Sequence, residues 1–163
     1  MNLVRHADVF AREELPAIAA MLKDRTWTVQ SSNAGDATRF FMSGLAQTEI
    51  DLFHRRLGPL VNRYIADNGV KGAVGFERAY VNCHPAFHPG HWHIDNHEGF
   101  TALYYPPSEI DFGDEGGTDV QGFGYQRYLA NGLILFPANA LHMAREHTAK
   151  GVFRYSVAFK FQM

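Results

Sequence analysis

His93-Ile94-Asp95 sets an imidazole and a carboxylate two residues apart in the chain. On an extended strand, residues two apart share a face, so both side chains reach the same side. One histidine and one carboxylate on one face are two thirds of a facial triad. That triad leaves coordination positions open and selects Fe(II) in oxygenases. A third ligand is offered by His142, which follows the apolar run 133–137 and a short turn at 138–141. His147 lies five residues further on, and His142 is preferred because it follows strand and turn directly. Five of the nine histidines fall between His84 and His97, and neutral imidazole is the commonest metal ligand.

A second group of residues sits twelve positions after His142. Arg154-Tyr155-Ser156 lies in an otherwise apolar run, and alternation puts Arg154 and Ser156 on one face. A guanidinium there is costly to bury without an anionic partner. Its planar fork is suited to a carboxylate, which it can hold through two hydrogen bonds.

These residues need elements to position them. Apolar residues Leu15, Ile18, Ala19 and Leu22 recur at helical spacing and predict a helix over 12–23, with Glu13 and Glu14 in its first turn. A second helix is predicted over 47–67 from Ile50, Phe53, Leu57, Leu60, Val61 and Tyr64, bent at Gly58-Pro59 and ended by Asn68-Gly69. After residue 70, short β-branched and aromatic runs alternate with turn residues. Strands are predicted at 74–83, 91–95, 101–105, 118–120, 133–136, 140–145 and 152–161. Helices first and strands after give a mainly β (α+β) chain with the helices packed outside a jelly-roll core. We read residues 1–163 as a single domain, with a helical part over 1–70 and a β-barrel core over 71–163.

The bulk numbers agree with a folded enzyme-sized unit. The chain has 163 residues, 46% of them hydrophobic, enough for a core that needs no metal or disulfide to fold. Net charge is −2, which lends no support to a nucleic-acid partner. Cys83 is the single cysteine, so a disulfide framework is excluded. No apolar signal region or membrane-length run is present, and a cytoplasmic protein is expected. Oligomeric state is not legible.

Taken in order, His93-Ile94-Asp95, His142 and Arg154-Tyr155-Ser156 resemble the signature of the 2-oxoglutarate- and Fe(II)-dependent oxygenase superfamily, in its prolyl-4-hydroxylase-like branch. Thr101-Ala102-Leu103-Tyr104-Tyr105 resembles the strand after the first motif, and Gly116-Gly117-Thr118 the glycine pair opening a later one. The resemblance covers roughly residues 72–161. It implies a double-stranded β-helix, with Fe(II) on His93, Asp95 and His142. It also implies 2-oxoglutarate as cosubstrate, its far carboxylate on Arg154, Ser156 and Tyr105, with Asn82 and His84 on the preceding strand as candidates either to contact the cosubstrate or to support the residues that do. The implied reaction uses O2 to hydroxylate an unactivated C–H bond, releasing succinate and carbon dioxide. By analogy the substrate is a small molecule or peptide, with a peptidyl or free amino-acid side chain favoured. Collagen-type prolyl hydroxylases carry Lys where this chain has Arg154, so collagen-like proline is not specifically implied.

A cupin-type metalloprotein resembles the same segments differently. There His91, His93, Glu98 and His142 would be the ligands, leaving Asp95 and the Arg154 motif without a role. A non-catalytic jelly-roll binding protein is the other alternative. Two expectations concern the cavity. Trp92 and Phe87 are expected to wall it. The loop from 109 to 119, with five acids and no base, is expected near its mouth, where it would favour a cationic or neutral substrate.

Overall fold

The computed structural model describes residues 1–30 and 40–163. Ten strands and two helices follow in the order β1 (Val4–His6), a 3-10 turn (Arg12–Glu14), α1 (Leu15–Lys23), β2 (Thr28–Gln30), β3 (Phe40–Gly44), α2 (Gln47–Asp67), β4 (Gly75–Pro85), β5 (Phe100–Tyr105), β6 (Thr118–Val120), β7 (Gly124–Gln126), β8 (Gly132–Pro137), β9 (His142–Ala144) and β10 (Phe153–Gln162). Seven strands form one antiparallel sheet in the order β1-β8-β5-β10-β4-β3-β2, and three form a second, β7-β6-β9.

Strand alternation decides what each face of the large sheet does. Ala102 and Tyr104 of β5, Leu133 and Leu135 of β8, Val157 and Phe159 of β10, and Val81 of β4 share one apolar cluster with Ile18 and Leu22 of α1 and with Phe53, Leu57, Val61 and Tyr64 of α2. The helices therefore cover the outer face, as the sequence predicts. The intervening residues of the same strands face inward. Leu103, Ile134, Phe136 and Ala158 join Val120 of the small sheet in a second cluster. Both faces of β5 and β8 are buried along their whole length, which is why they read as continuous apolar runs.

The helix ends follow from local chemistry. At the start of α2, a Glu49 carboxylate oxygen accepts the Ala46 N–H at 2.7 Å, satisfying one of the orphan donors of the first turn. Arg25 pairs with the same carboxylate at 2.8 Å. The helix continues through Pro59 to Asp67. Asn131 adopts a positive φ of 60° before β8. Its buried side chain accepts from the Phe10 N–H and the Tyr104 hydroxyl and donates to the Phe10 carbonyl, fixing the N-terminal segment to the sheet.

Two expectations are corrected. The first seventy residues are not only helical, because β1, β2 and β3 belong to the large sheet. These strands are three to five residues long, too short to show a period. The segment 91–95 is not a strand either. It carries a single bridge, His93 to His142. Gly90, His93 and Asp95 donate backbone N–H groups to Ala144, His142 and Ala138 in turn. The segment thus runs beside β9 but slips register at each contact, so no ladder forms. No helix among the described residues is long and apolar enough to cross a membrane.

Candidate metal centre

The bridge between His93 and His142 is what assembles the site. It exchanges two backbone hydrogen bonds, 3.1 and 2.9 Å, between the two ligand-bearing residues, and their rings stand 4.3 Å apart. The Asp95 N–H to Ala138 carbonyl bond, 2.9 Å, then turns the carboxylate back towards them. Asp95 lies 3.8 Å from His93 Nε2 and 3.4 Å from His142 Nε2. All three ligand atoms fall within 4.8 Å of one another. Ligands each about 2.1 Å from a shared ion stand roughly 3–3.5 Å apart, so little adjustment is required.

Both imidazoles are oriented from behind. His93 Nδ1 is 2.8 Å from the His91 carbonyl and His142 Nδ1 is 2.9 Å from the Ala140 carbonyl. A carbonyl only accepts, so each Nδ1 carries the proton and each Nε2 presents its lone pair to the cluster. Burial lowers the His142 pKa to about 4 against the opposing pull of Asp95, which keeps the ring neutral and ligand-competent at pH 7. Burial alone would raise the Asp95 carboxyl. Lys160, His142 and Thr101 outweigh it and hold that carboxyl well below its usual range. Lys160 Nζ and the Thr101 hydroxyl both donate to Asp95 Oδ2.

The cluster opens onto a cavity of about 350 Å³ between the two sheets. Its floor is the inward face of β4 and β10. Arg78, Tyr80, Asn82 and His84 alternate along one strand, and Arg154, Ser156, Ala158 and Lys160 along the other. Arg154 is 1% exposed. Its Nε donates to the Gly116 carbonyl at 2.6 Å, and its other nitrogens donate to the Gly117 carbonyl, Thr118 and Ser156 at 3.2–3.3 Å. No carboxylate pairs with it among the described residues. Gly117 is needed for its close approach to β7, because a Cβ there would stand 2.2 Å from the Gln126 carbonyl oxygen. Asn82 Oδ1 and His84 Nδ1 are buried without a hydrogen-bond partner among the described residues. A buried unpaired guanidinium and two orphan polar atoms lining one cavity describe a pocket for a polar, anionic ligand.

The structure sorts the remaining expectations. Tyr105 does not line the cavity. Its hydroxyl donates to Thr118 at 2.8 Å, and its ring lies 5.6 Å from the Arg154 guanidinium, so it backs the arginine. His147 is buried against Phe112 and away from the cluster. His91 and Glu98 are exposed, and the metal-capable group includes neither, which counts against the cupin arrangement. Trp92 and Phe87 are exposed and do not wall the cavity, whereas Ile94 does. Of the 109–119 loop, Thr118 lines the cavity and none of the five acids does. Asp111 pairs with Arg127, Asp119 with Arg145, and Glu115 with Thr148. Residues missed in the sequence are Lys160, Thr101, Thr118 and Tyr80. Lys160 carried a signal, since it breaks an apolar strand just as Arg154 does.

His84 makes the metal-free protein acid-sensitive. Burial, and then Arg154, lower its pKa from 6.5 to about 3. Below about pH 6.5 the unfolded chain takes up a proton that the folded chain refuses, so stability falls with falling pH until about pH 3. The expected slope from His84 alone is about 1.4 kcal/mol per pH unit. Urea midpoints of the metal-free protein between pH 7 and 4.5 measure it. His84→Asn should flatten the profile, and an unchanged profile would contradict the assignment.

No family sequence model matches the chain. No curated protein matches it in sequence. Solved structures do match in fold. A 2OG-Fe(II) oxygenase-family oxidoreductase from Burkholderia pseudomallei superposes with a TM-score of 0.74 at 16% identity, over 98% of this chain and 84% of that one. A prolyl-4-hydroxylase from Pseudomonas putida gives 0.75 at 13% identity, over 99% and 92%. A viral collagen prolyl hydroxylase from Paramecium Bursaria Chlorella virus-1, solved as a 2OG complex, gives 0.73 at 11% identity, over 99% and 96%. The chain thus has the double-stranded β-helix fold of these oxygenases.

Proposed function

We propose that this protein is a 2-oxoglutarate- and Fe(II)-dependent oxygenase that hydroxylates an amino-acid side chain, free or peptidyl. One observation carries the reading: a His93-Asp95-His142 cluster and a buried, carboxylate-free Arg154 face the same cavity. The fold likeness agrees with it, and two of the matched structures are prolyl hydroxylases by name. The donor set suits Fe(II), since two neutral imidazoles and one carboxylate leave open positions. Iron with 2-oxoglutarate and O2 supplies the oxidising power for C–H hydroxylation, with succinate and carbon dioxide released.

The chain's own residues bind and orient. Lys160 and Thr101 fix the Asp95 carboxylate, and the two backbone carbonyls fix the imidazoles. Arg154 holds the far carboxylate of 2-oxoglutarate, with Ser156 and Thr118 steadying the guanidinium. Asn82 and His84 meet the polar edge of the cosubstrate with their orphan atoms. His84 stays neutral at pH 7 and adds no charge beside Arg154. Phe136, Leu103 and Ala158 keep that part of the cavity apolar and exclude water.

The test is spectroscopic. Protein loaded anaerobically with Fe(II) is expected to develop a visible charge-transfer band on adding 2-oxoglutarate, and to release succinate once O2 is admitted. Absence of the band in folded, iron-loaded protein would favour a non-catalytic binding role instead.

A further inference from the structure

The cavity is lined by four charged side chains among the described residues: Arg78, Arg154, Lys160 and Asp95. Three are cations and one is an anion. With the proposed function as premise, Fe(II) and Arg154 are matched in charge by Asp95 and the two carboxylates of 2-oxoglutarate. Lys160 and Arg78 are then left over. Lys160 is 5% exposed, and its carboxylate partner is a candidate metal ligand. Arg78 sits directly opposite Lys160 in the β4–β10 register, on the same face. Like charges placed opposite each other across a strand pair repel. The outer partner of Arg78 is Glu77 at 3.5 Å, an exposed and loose pair whose carboxylate does not line the cavity. Tyr80 lies beside this cationic pair, its ring 5.6 Å from Lys160 Nζ, towards the opposite end of the β10 floor from Arg154.

We propose that the substrate of this site carries an oxyanion, carboxylate or phosphate, which docks between Arg78 and Lys160. The guanidinium fork of Arg78 matches either group through two hydrogen bonds. An anion there relieves the repulsion between two cations that the strand register forces together. It also orients the rest of the substrate towards the His93-Asp95-His142 cluster, because Lys160 touches both places. The inference rests on the oxygenase reading for its charge balance, and it reverses the expectation of a cationic or neutral substrate drawn from the acidic loop.

The experiment uses protein loaded anaerobically with Fe(II) and 2-oxoglutarate, at constant ionic strength. Two matched pairs of probes are titrated: N-acetylglycine against N-acetylglycinamide, and glycerol 3-phosphate against glycerol. Melting temperature and the visible band are read. At least one acid is expected to bind ten-fold or more tightly than its neutral twin, and the pair that responds identifies the group. Arg78→Gln should remove that preference, and Arg78→Glu should invert it. Equal binding, or no binding, of acid and neutral probes would overturn the proposal, as would a preference that survives Arg78→Gln. Failure to form the band at all would instead count against the oxygenase reading, so the two failures are distinguishable.

Discussion

Arg154→Met is expected to weaken 2-oxoglutarate binding by roughly 100-fold or more while leaving Fe(II) binding within about twofold. The size follows from removing one partner of a buried, hydrogen-bonded charge pair, which costs about 2–5 kcal/mol. The selectivity follows from position. Arg154 bonds Gly116, Gly117, Thr118 and Ser156, and none of these touches His93, Asp95 or His142. Methionine replaces the apolar stem of the arginine without its guanidinium, so the strand remains packed. Arg154→Lys should lose less, about ten-fold, because the charge stays while the fork is lost. Anaerobic titration of the visible band gives the cosubstrate affinity, and competition with a chromophoric chelator gives the iron affinity. Unchanged cosubstrate affinity in Arg154→Met would remove that residue from the pocket. A parallel loss of iron would mean that the substitution disturbs the whole cavity.

Arg154 was legible in the sequence because a lone cation in an apolar strand demands an explanation. The same reasoning applies to Lys160, six residues later on the same face, yet its partner Asp95 is 65 residues away in the chain. Pairing at that distance leaves no local pattern. The strands with two buried faces were legible for an energetic reason. β5 and β8 are buried on both sides, so their largely apolar composition alone marks them. β1 and β2 are the edge strands and β3 lies next to one of them; all three in part face solvent, and no comparable pattern is imposed on them. The segment at 91–95 shows the opposite failure. Alternation correctly placed His93 with Asp95, but the backbone is held by scattered bonds to Ala138, His142 and Ala144 and not by a ladder. Tyr105 illustrates a third limit: it shares the inward face with Thr101 and Leu103, but how far each side chain reaches depends on Thr118 in the opposing sheet.

Asp95→Asn should lower Fe(II) affinity by at least about 100-fold, whereas Glu98→Gln should leave it within about twofold. Loss of a mere outer partner of a metal ligand already costs about 10–100-fold, and Asp95 supplies the only carboxylate of the cluster among the described residues. The choice of asparagine matters. Asp95→Ala would leave the Lys160 ammonium buried beside Thr101 with no anion, at a cost of about 3–5 kcal/mol, and lost iron could then reflect unfolding. Asparagine also removes the anion, but it keeps the shape and retains an oxygen that accepts from Lys160 and Thr101, so it costs the fold less than alanine. Thermal melts of the metal-free variants check this directly. Glu98 is exposed and outside the cluster, so nothing in the geometry lets it substitute for Asp95. Should Glu98→Gln release the iron while Asp95→Asn retains it, the cupin arrangement on His91, His93, Glu98 and His142 would be right. The role given to Lys160 would fall with it, because that role depends on Asp95 being the carboxylate that faces the metal.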